Sequence, residues 1–139
     1  MKSKGYKYQI ISSGKVKLLP MGKSILKEFS FKFAIEIIKL YKNLVVSKKE
    51  FVLSKQILKS GTSVGAMIRE AQNAESKNDF IHKLAIAQKE CDETVYWLEL
   101  LQKSDYIELN EFTKIHDKAY SLLKMIKSAI LTTKQKPNP

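Results

Sequence analysis

The sequence predicts an all-α fold, an up-down-up-down four-helix bundle with a short non-helical N-terminal extension. Four stretches repeat apolar residues at three- and four-residue steps, which is the period of an amphipathic helix. The connections between these stretches are short, which favours antiparallel neighbours. A chain of 139 residues with 44% hydrophobic content is large enough for one domain with its own core. We therefore expect an extension over residues 1–22, a bundle over 23–133 and a loose tail over 134–139.

The N-terminal extension has no helical period. Segments 6–11 and 15–19 are suited to pair as a hairpin about residues 12–14, although an isolated hairpin is marginal in water. Because Met21 directly precedes the bundle, residues 1–20 are either an upstream extension or a misassigned start of translation. We assign no function to them.

The first helix is expected to begin at Ser24 or Ser30 and to end at Val46. Its apolar residues fall on one side and are expected to be buried: Phe33, Ala34, Ile37, Ile38, Tyr41, Leu44 and Val45. Ser47 follows as the expected N-cap of the second helix.

The second helix has an apolar side and a basic side. The apolar side comprises Leu53, Ile57, Ser60, Val64, Ile68 and Ala71. The opposite side comprises Lys48, Lys55, Lys59 and Arg69. These four residues, together with Lys124 and Lys127 of the fourth helix, are our candidates for contacts with nucleic acid.

Gly61 and Gly65 need an explanation, since each costs roughly 1 kcal/mol relative to alanine inside a helix. A phosphate-binding loop is a poor explanation, because the segment lacks the required lysine and no strand precedes it. Close packing against a neighbouring helix explains the glycines better. With Phe51 and Leu58 they widen the apolar sector to about 200°, so we expect this helix to contact another subunit as well as its own bundle, and both glycines are interface candidates.

The third helix follows a polar elbow at residues 75–78, in which Ser76 or Asn78 is the expected cap. Its core positions are Phe80, Leu84, Ala87, Cys91, Thr94, Val95 and Leu98. A second flank holds further interface candidates: Ile86, Glu90, Glu93 and Trp97. The only tryptophan suits an interface core; alternatively, Trp97 closes one end of the monomer core.

The fourth helix is expected to begin near Glu108 or Asn110 and cannot continue past Pro137. Its core stripe comprises Phe112, Ile115, Ala119, Leu122, Leu123, Ile126, Ala129 and Ile130. Lysines lie on its outer side, among them Lys124 and Lys127.

The net charge of +11 is unevenly distributed along the chain. Residues 70–111 are net acidic and the remaining segments are net basic, which favours nucleic acid or an acidic protein as a partner of the basic faces. The alternative is that the lysines only solvate the helix faces. Since Arg69 is the only arginine, base-specific bidentate contacts are poorly provided for. Any nucleic-acid contact is therefore expected to be mostly to phosphates.

We predict no catalytic residue, no metal site and no cofactor. Cys91 is the only cysteine and lies on a core stripe, so it is expected to be a buried, unreactive thiol in a reducing compartment. Asp79 and His82 form only part of a bundle metal motif, and His116 stands alone. No apolar run is long enough to span a bilayer and no signal peptide begins the chain. We expect a cytoplasmic protein that is not an enzyme and does not engage a membrane.

Two runs, SKQILKSGTSVGAMIREAQNAES (54–76) and DFIHKLAIAQKECDETVYWLELL (79–101), resemble the four-helix bundle proteins encoded in intervening sequences of 23S rRNA genes. That family is related to the accessory variability determinants of diversity-generating retroelements. The similarity extends from about Ser24 to Thr132. In one position the chain departs from the family, which usually reads GANIREA, because Met67 stands at the asparagine.

The resemblance implies a small cytoplasmic bundle that assembles as a ring-like homopentamer with a basic surface suited to RNA or DNA. It implies no catalysis. Two hypotheses follow: a non-enzymatic scaffold that binds nucleic acid or nucleoprotein through lysine-rich faces, or a module that binds a protein such as a reverse transcriptase.

Overall fold

Four helices account for most of the chain, and their amphipathic stripes face one another. The computed structural model describes residues 6–10, 16–20 and 24–137. The elements are β1 (Tyr6–Ile10), β2 (Val16–Pro20), α1 (Ile25–Val46), α2 (Leu53–Gln72), α3 (Lys77–Lys103) and α4 (Leu109–Gln135). The prediction of an all-α bundle with a short non-helical extension is confirmed.

The two strands pair antiparallel, with Tyr6 opposite Pro20 and Ile10 opposite Val16. The predicted hairpin is therefore present, although the connecting residues 11–15 lie outside the described part of the chain. Strand β1 lies against α2 and α4. Because a two-stranded hairpin is marginal by itself, these contacts are the support that it needs.

Successive helices run antiparallel. Gly65 lies against Ser30, and Gly61, about one turn earlier in α2, lies against Ile37, about two turns later in α1. Each helix packs on the next one in sequence, and α4 returns to α1 to close the bundle. Helices α2 and α4 are therefore diagonal to each other, which decides which surface residues share a face.

The core stripes of α2, α3 and α4 lie largely where periodicity predicts them. All seven predicted positions of α3 are buried, and Leu101 extends the stripe. The stripe of α1 is rotated from the prediction, with Ser30 and Leu40 buried while Ile38 and Tyr41 are only half-buried. The hydroxyl of Ser30 donates to the Lys27 carbonyl at 3.1 Å, which satisfies it inside the packed face.

Of the two expected starts of α1 the structure has Ser24, and of the two expected caps of α3 it has Ser76. The hydroxyl oxygen of Ser24 accepts from the Lys27 backbone N–H at 3.1 Å, and that of Ser76 accepts from the Asp79 N–H at 3.0 Å. Helix α4 begins after Glu108 and ends before Pro137, as expected. It continues through Gln135, so the first two residues of the expected tail are helical.

The predicted cap of α2 is wrong. Ser47 ends α1, and α2 begins six residues later at Leu53. The Glu50 carboxylate caps α2 instead, accepting from the backbone N–H groups of Ser54 at 2.7 Å, Leu53 at 3.0 Å and Val52 at 3.2 Å. A carboxylate at this end of a helix also interacts favourably with the helix dipole.

Candidate nucleic-acid interface

The outer face of α2 presents the predicted basic stripe. Lys55, Lys59 and Arg69 are exposed, and none forms an ion pair with a described residue. Lys48 is also exposed but lies in the α1–α2 connection rather than on the helix. We use the name basic stripe for Lys55, Lys59 and Arg69. Their role in binding stays a prediction.

One end of the basic stripe meets α1. The guanidinium carbon of Arg69 lies 5.8 Å from the centroid of the Phe31 ring, within the range of a cation–π contact. Beside this pair runs a groove of about 650 Å³, lined along α2 by Thr62, Gly65 and Ala66. The sequence prediction did not single out Phe31, because an exposed aromatic in a broadly apolar helix has the same periodicity as a core residue.

The other end of the basic stripe meets the acidic helix α3. Burial raises the pKa of the Glu90 carboxyl on α3 above its ordinary value, and a hydrogen bond and charge repulsion from Glu93 raise it further. The nearby Lys89 and Lys59 act in the opposite direction, so the Glu90 carboxylate partly offsets the positive charge of Lys59.

Of the interface candidates on α3, Ile86, Glu90 and Trp97 are half-buried and Glu93 is exposed. The indole of Trp97 packs against the core and makes an edge contact with Tyr96, with ring centroids 4.9 Å apart. Its Nε1–H is buried and has no acceptor among the described residues. This packing agrees with the alternative interpretation, in which Trp97 belongs to the core of its own chain. A role of Trp97 between subunits stays a prediction.

The two glycines pack inside the chain. A Cβ atom at Gly61 would lie 2.8 Å from both Cγ atoms of Ile37, and one at Gly65 would lie 3.3 Å from the Ser30 carbonyl oxygen. The close helix packing inferred from sequence is present, between α2 and α1 of the same chain. A neighbouring subunit is therefore not needed to explain either glycine, and their place among the interface candidates stays a prediction.

Lys124 and Lys127 form a second, separate group on α4. Both are exposed, but α4 lies diagonally across the bundle from α2, so the structure does not bring them together with the basic stripe. Lys127 is near Cys91, whose pKa is raised by burial to about 12 despite that positive charge. The Cys91 thiol donates to the Ala119 carbonyl at 3.3 Å, which suits the unreactive core thiol expected from the sequence.

Two further groupings were not visible in the sequence. His116 lies between the rings of Phe112 and Tyr120 on α4 and contacts the Glu99 carboxylate at 3.2 Å. Glu36 and Lys118 pair across α1 and α4 at 2.5 Å.

Within residues 24–137, no three His, Cys, Asp or Glu side chains are placed to hold a metal ion. None of the described helices combines the length and apolarity needed to cross a membrane.

Comparison with known proteins shows similarity to a protein family and to solved structures. A family model described as 23S rRNA-intervening sequence protein matches residues 23–128. A crystal structure from Bacteroides thetaiotaomicron, described as a protein with unknown function from the S23 ribosomal protein family, shares 51% identity with a TM-score of 0.74. The alignment covers 75% of this chain and 96% of that one. No curated protein matches the chain. The expected relation to accessory variability determinants stays a prediction.

Proposed function

The chain belongs to the 23S rRNA-intervening sequence protein family, and from this premise we propose that it is a non-enzymatic homo-oligomeric scaffold that binds structured nucleic acid or nucleoprotein. Membership alone supplies no activity, since the similar Bacteroides protein is described as having unknown function. The supporting observation is the basic stripe, three exposed cations on one helix, none of which forms a salt bridge with a described residue, although Glu90 partly offsets the charge of Lys59.

The geometry of the basic stripe suits a phosphate backbone. A helix rises about 1.5 Å per residue, so Lys55 and Arg69 are about 21 Å apart along the axis. One strand of a duplex places a phosphate every 3.4 Å or so of its axis, and this length therefore spans about six phosphates. Cations that are not already paired release condensed counterions when they meet phosphates, and this release drives association without regard to sequence.

The test is a salt series measured by fluorescence anisotropy with structured RNA, duplex RNA and duplex DNA. Affinity should fall steeply with salt and differ little between unrelated sequences. The double variant Lys55→Glu/Lys59→Glu should weaken binding to every probe. Its log–log salt slope should become shallower by about 2, since each lost phosphate contact removes about 0.9 from the slope. Helicity and oligomer mass should not change.

A matched control makes the same change of net charge on the acidic helix α3. Lys89→Glu/Lys103→Glu reverses two exposed lysines away from the basic stripe and should bind almost as well as the wild type. An equal loss in both variants would mean that only net charge matters. Absence of wild-type binding at low salt would refute the proposal and favour a protein partner. Lys124→Glu/Lys127→Glu then measures whether the group on α4 contributes.

Assembly into a homopentamer is the second component of the proposal. Light scattering at micromolar concentration should give about five times the mass of the 16.0-kDa chain. Ile86→Glu, at a half-buried interface candidate, should lower that mass, because a charge at the centre of an apolar contact is costly. The control is Ala85→Glu at the adjacent exposed position. A monomeric wild type, or an Ile86→Glu variant that keeps the full mass, would contradict this interface.

A further inference from the structure

Phe31 is among the exposed apolar side chains of α1, which include Ile25 and Ile35. Its ring is 54% exposed, although it belongs to a helix whose other phenylalanines, Phe29 and Phe33, pack against or within the core. The Arg69 guanidinium lies over this ring. An exposed aromatic ring paired with arginine is an arrangement that offers a stacking surface for another planar group.

The charges that line the recess beside the ring favour an anion, whereas the adjoining groove is lined by Glu70, Glu75 and Asp79 as well as by cations. A recess of about 390 Å³ is lined by Phe31, Arg69, Lys27, Lys32 and Glu28. It therefore holds three cations against one carboxylate. Its volume lies within the range of small-ligand sites, and it is open at the surface rather than enclosed by the bundle. A ligand that has a planar apolar group next to a negative charge would match the ring and the cations of this recess.

We propose that Phe31 and Arg69 form a stacking site for an unpaired nucleobase, with Lys27 and Lys32 contacting the phosphates on either side of it. This site rests on the proposed function, because Arg69 is also a member of the basic stripe. The stacking site adds a preference for unpaired bases, which phosphate contacts do not provide. A base inside a duplex is covered by its neighbours, whereas a base in a loop or bulge exposes a face that the ring can cover.

The proposal predicts a preference for looped over fully paired nucleic acid. Stacking of one base on an aromatic side chain changes affinity by about 5- to 150-fold when the aromatic is replaced with alanine, and it does so for any base. Phe31→Ala should therefore lose affinity for a hairpin with an unpaired loop while its affinity for a blunt duplex stays unchanged. Phe31→Trp should retain loop binding, since the indole offers a larger stacking face.

The experiment compares hairpin and duplex probes, each made in RNA and in DNA, by anisotropy at fixed salt. A 2-aminopurine in the loop reports a change in the base's stacking through a change in its fluorescence, which should occur with wild type and Phe31→Trp but not with Phe31→Ala. Tyr96→Ala is the matched control. Tyr96 is also 54% exposed but lies on the acidic helix α3, and its removal should change neither probe.

Three results would overturn the stacking site. The first is that Phe31→Ala binds the hairpin with the same affinity as the wild type. The second is that Phe31→Ala loses affinity equally for the hairpin and the duplex. A reduced oligomer mass of Phe31→Ala is the third, because it would place the ring between copies of the chain. If Lys55→Glu/Lys59→Glu still weakens all probes in these cases, the proposed function stands without the stacking site. A wild type that binds no probe refutes both.

Discussion

Replacing Gly61 with leucine is expected to destabilise the bundle by about 3 kcal/mol, at the upper end of the cost of overpacking a core. Even the first added carbon would lie 2.8 Å from both Cγ atoms of Ile37. Ile37 is fully buried and β-branched, so it has little freedom to rotate away. Helices α1 and α2 would have to separate. The gain of about 1 kcal/mol in helix propensity does not offset that change.

Urea and thermal unfolding followed by circular dichroism measure this effect. The control is Ala66→Leu, which adds a side chain of the same kind to the same helix at an exposed position and should change stability by less than about 0.5 kcal/mol. Gly65→Ala should be intermediate, since its Cβ would meet the Ser30 carbonyl oxygen at 3.3 Å. A Gly61→Leu variant as stable as the wild type would show that α1 and α2 are not held at this distance.

Replacing Glu50 with alanine is expected to cost about 2 kcal/mol at pH 7, because three backbone N–H groups at the start of α2 lose their acceptor. One of these, the N–H of Ser54, is buried. The Ser54 hydroxyl also donates to the Glu50 backbone carbonyl at 2.9 Å, a bond that does not need the carboxylate. Loss of the cap should therefore loosen the start of α2 without unfolding the connection before it.

The effect of Glu50 should depend on pH. Burial alone would raise the pKa of its carboxyl, but the hydrogen bonds from Leu53, Ser54 and Val52 outweigh burial and hold the pKa below the ordinary value of 4.5. A carboxyl whose pKa is lower in the folded state stabilises the fold above its unfolded pKa. That contribution is lost as pH falls through the folded pKa. The difference between wild type and Glu50→Ala should thus be constant at neutral pH and shrink below about pH 4.5.

The control for this prediction is Glu108→Ala. Glu108 is a glutamate at the start of α4, where it is the N-cap residue directly before Leu109, but its side chain makes no capping hydrogen bond. Its replacement should change stability by less than about 0.5 kcal/mol at any pH. If the two alanine variants lose similar stability, or if the loss at Glu50 does not change with pH, the carboxylate is not the cap that the geometry indicates.

The two connections of α2 show how far local sequence predicts structure. Ser76, one of the two residues expected to cap α3, is followed directly by a periodic helix and is the residue that caps it. Ser47 also precedes a periodic helix, yet α2 begins later in the chain and is capped by the Glu50 carboxylate. Both caps are local interactions. Glu50 becomes the better cap only in the folded chain, where its buried carboxylate accepts from three backbone N–H groups. Propensity does not contain that information.

The helix surfaces give a similar comparison. On α3 the apolar residues form a narrow stripe, so the period fixes the buried face and all seven predicted positions are correct. On α1 the apolar residues cover a wider arc, and the period cannot say which part of the arc faces the core. The period therefore does not predict the exposure of Phe31, because that exposure depends on how α2 packs against α1 at Gly61 and Gly65.

By itself, the sequence determined the all-α class, the number of helices, most of their ends and the two sides of α2, because these follow from the spacing of apolar residues and from short-range hydrogen bonds. Only the tertiary structure decided which surface residues become neighbours. It separated Lys124 and Lys127 from the basic stripe, placed Glu90 near Lys59 and set Arg69 over Phe31. These pairings join residues of different helices, and the physical reason that sequence cannot supply them is that they depend on helix rotation and separation, which are set by packing across the whole core.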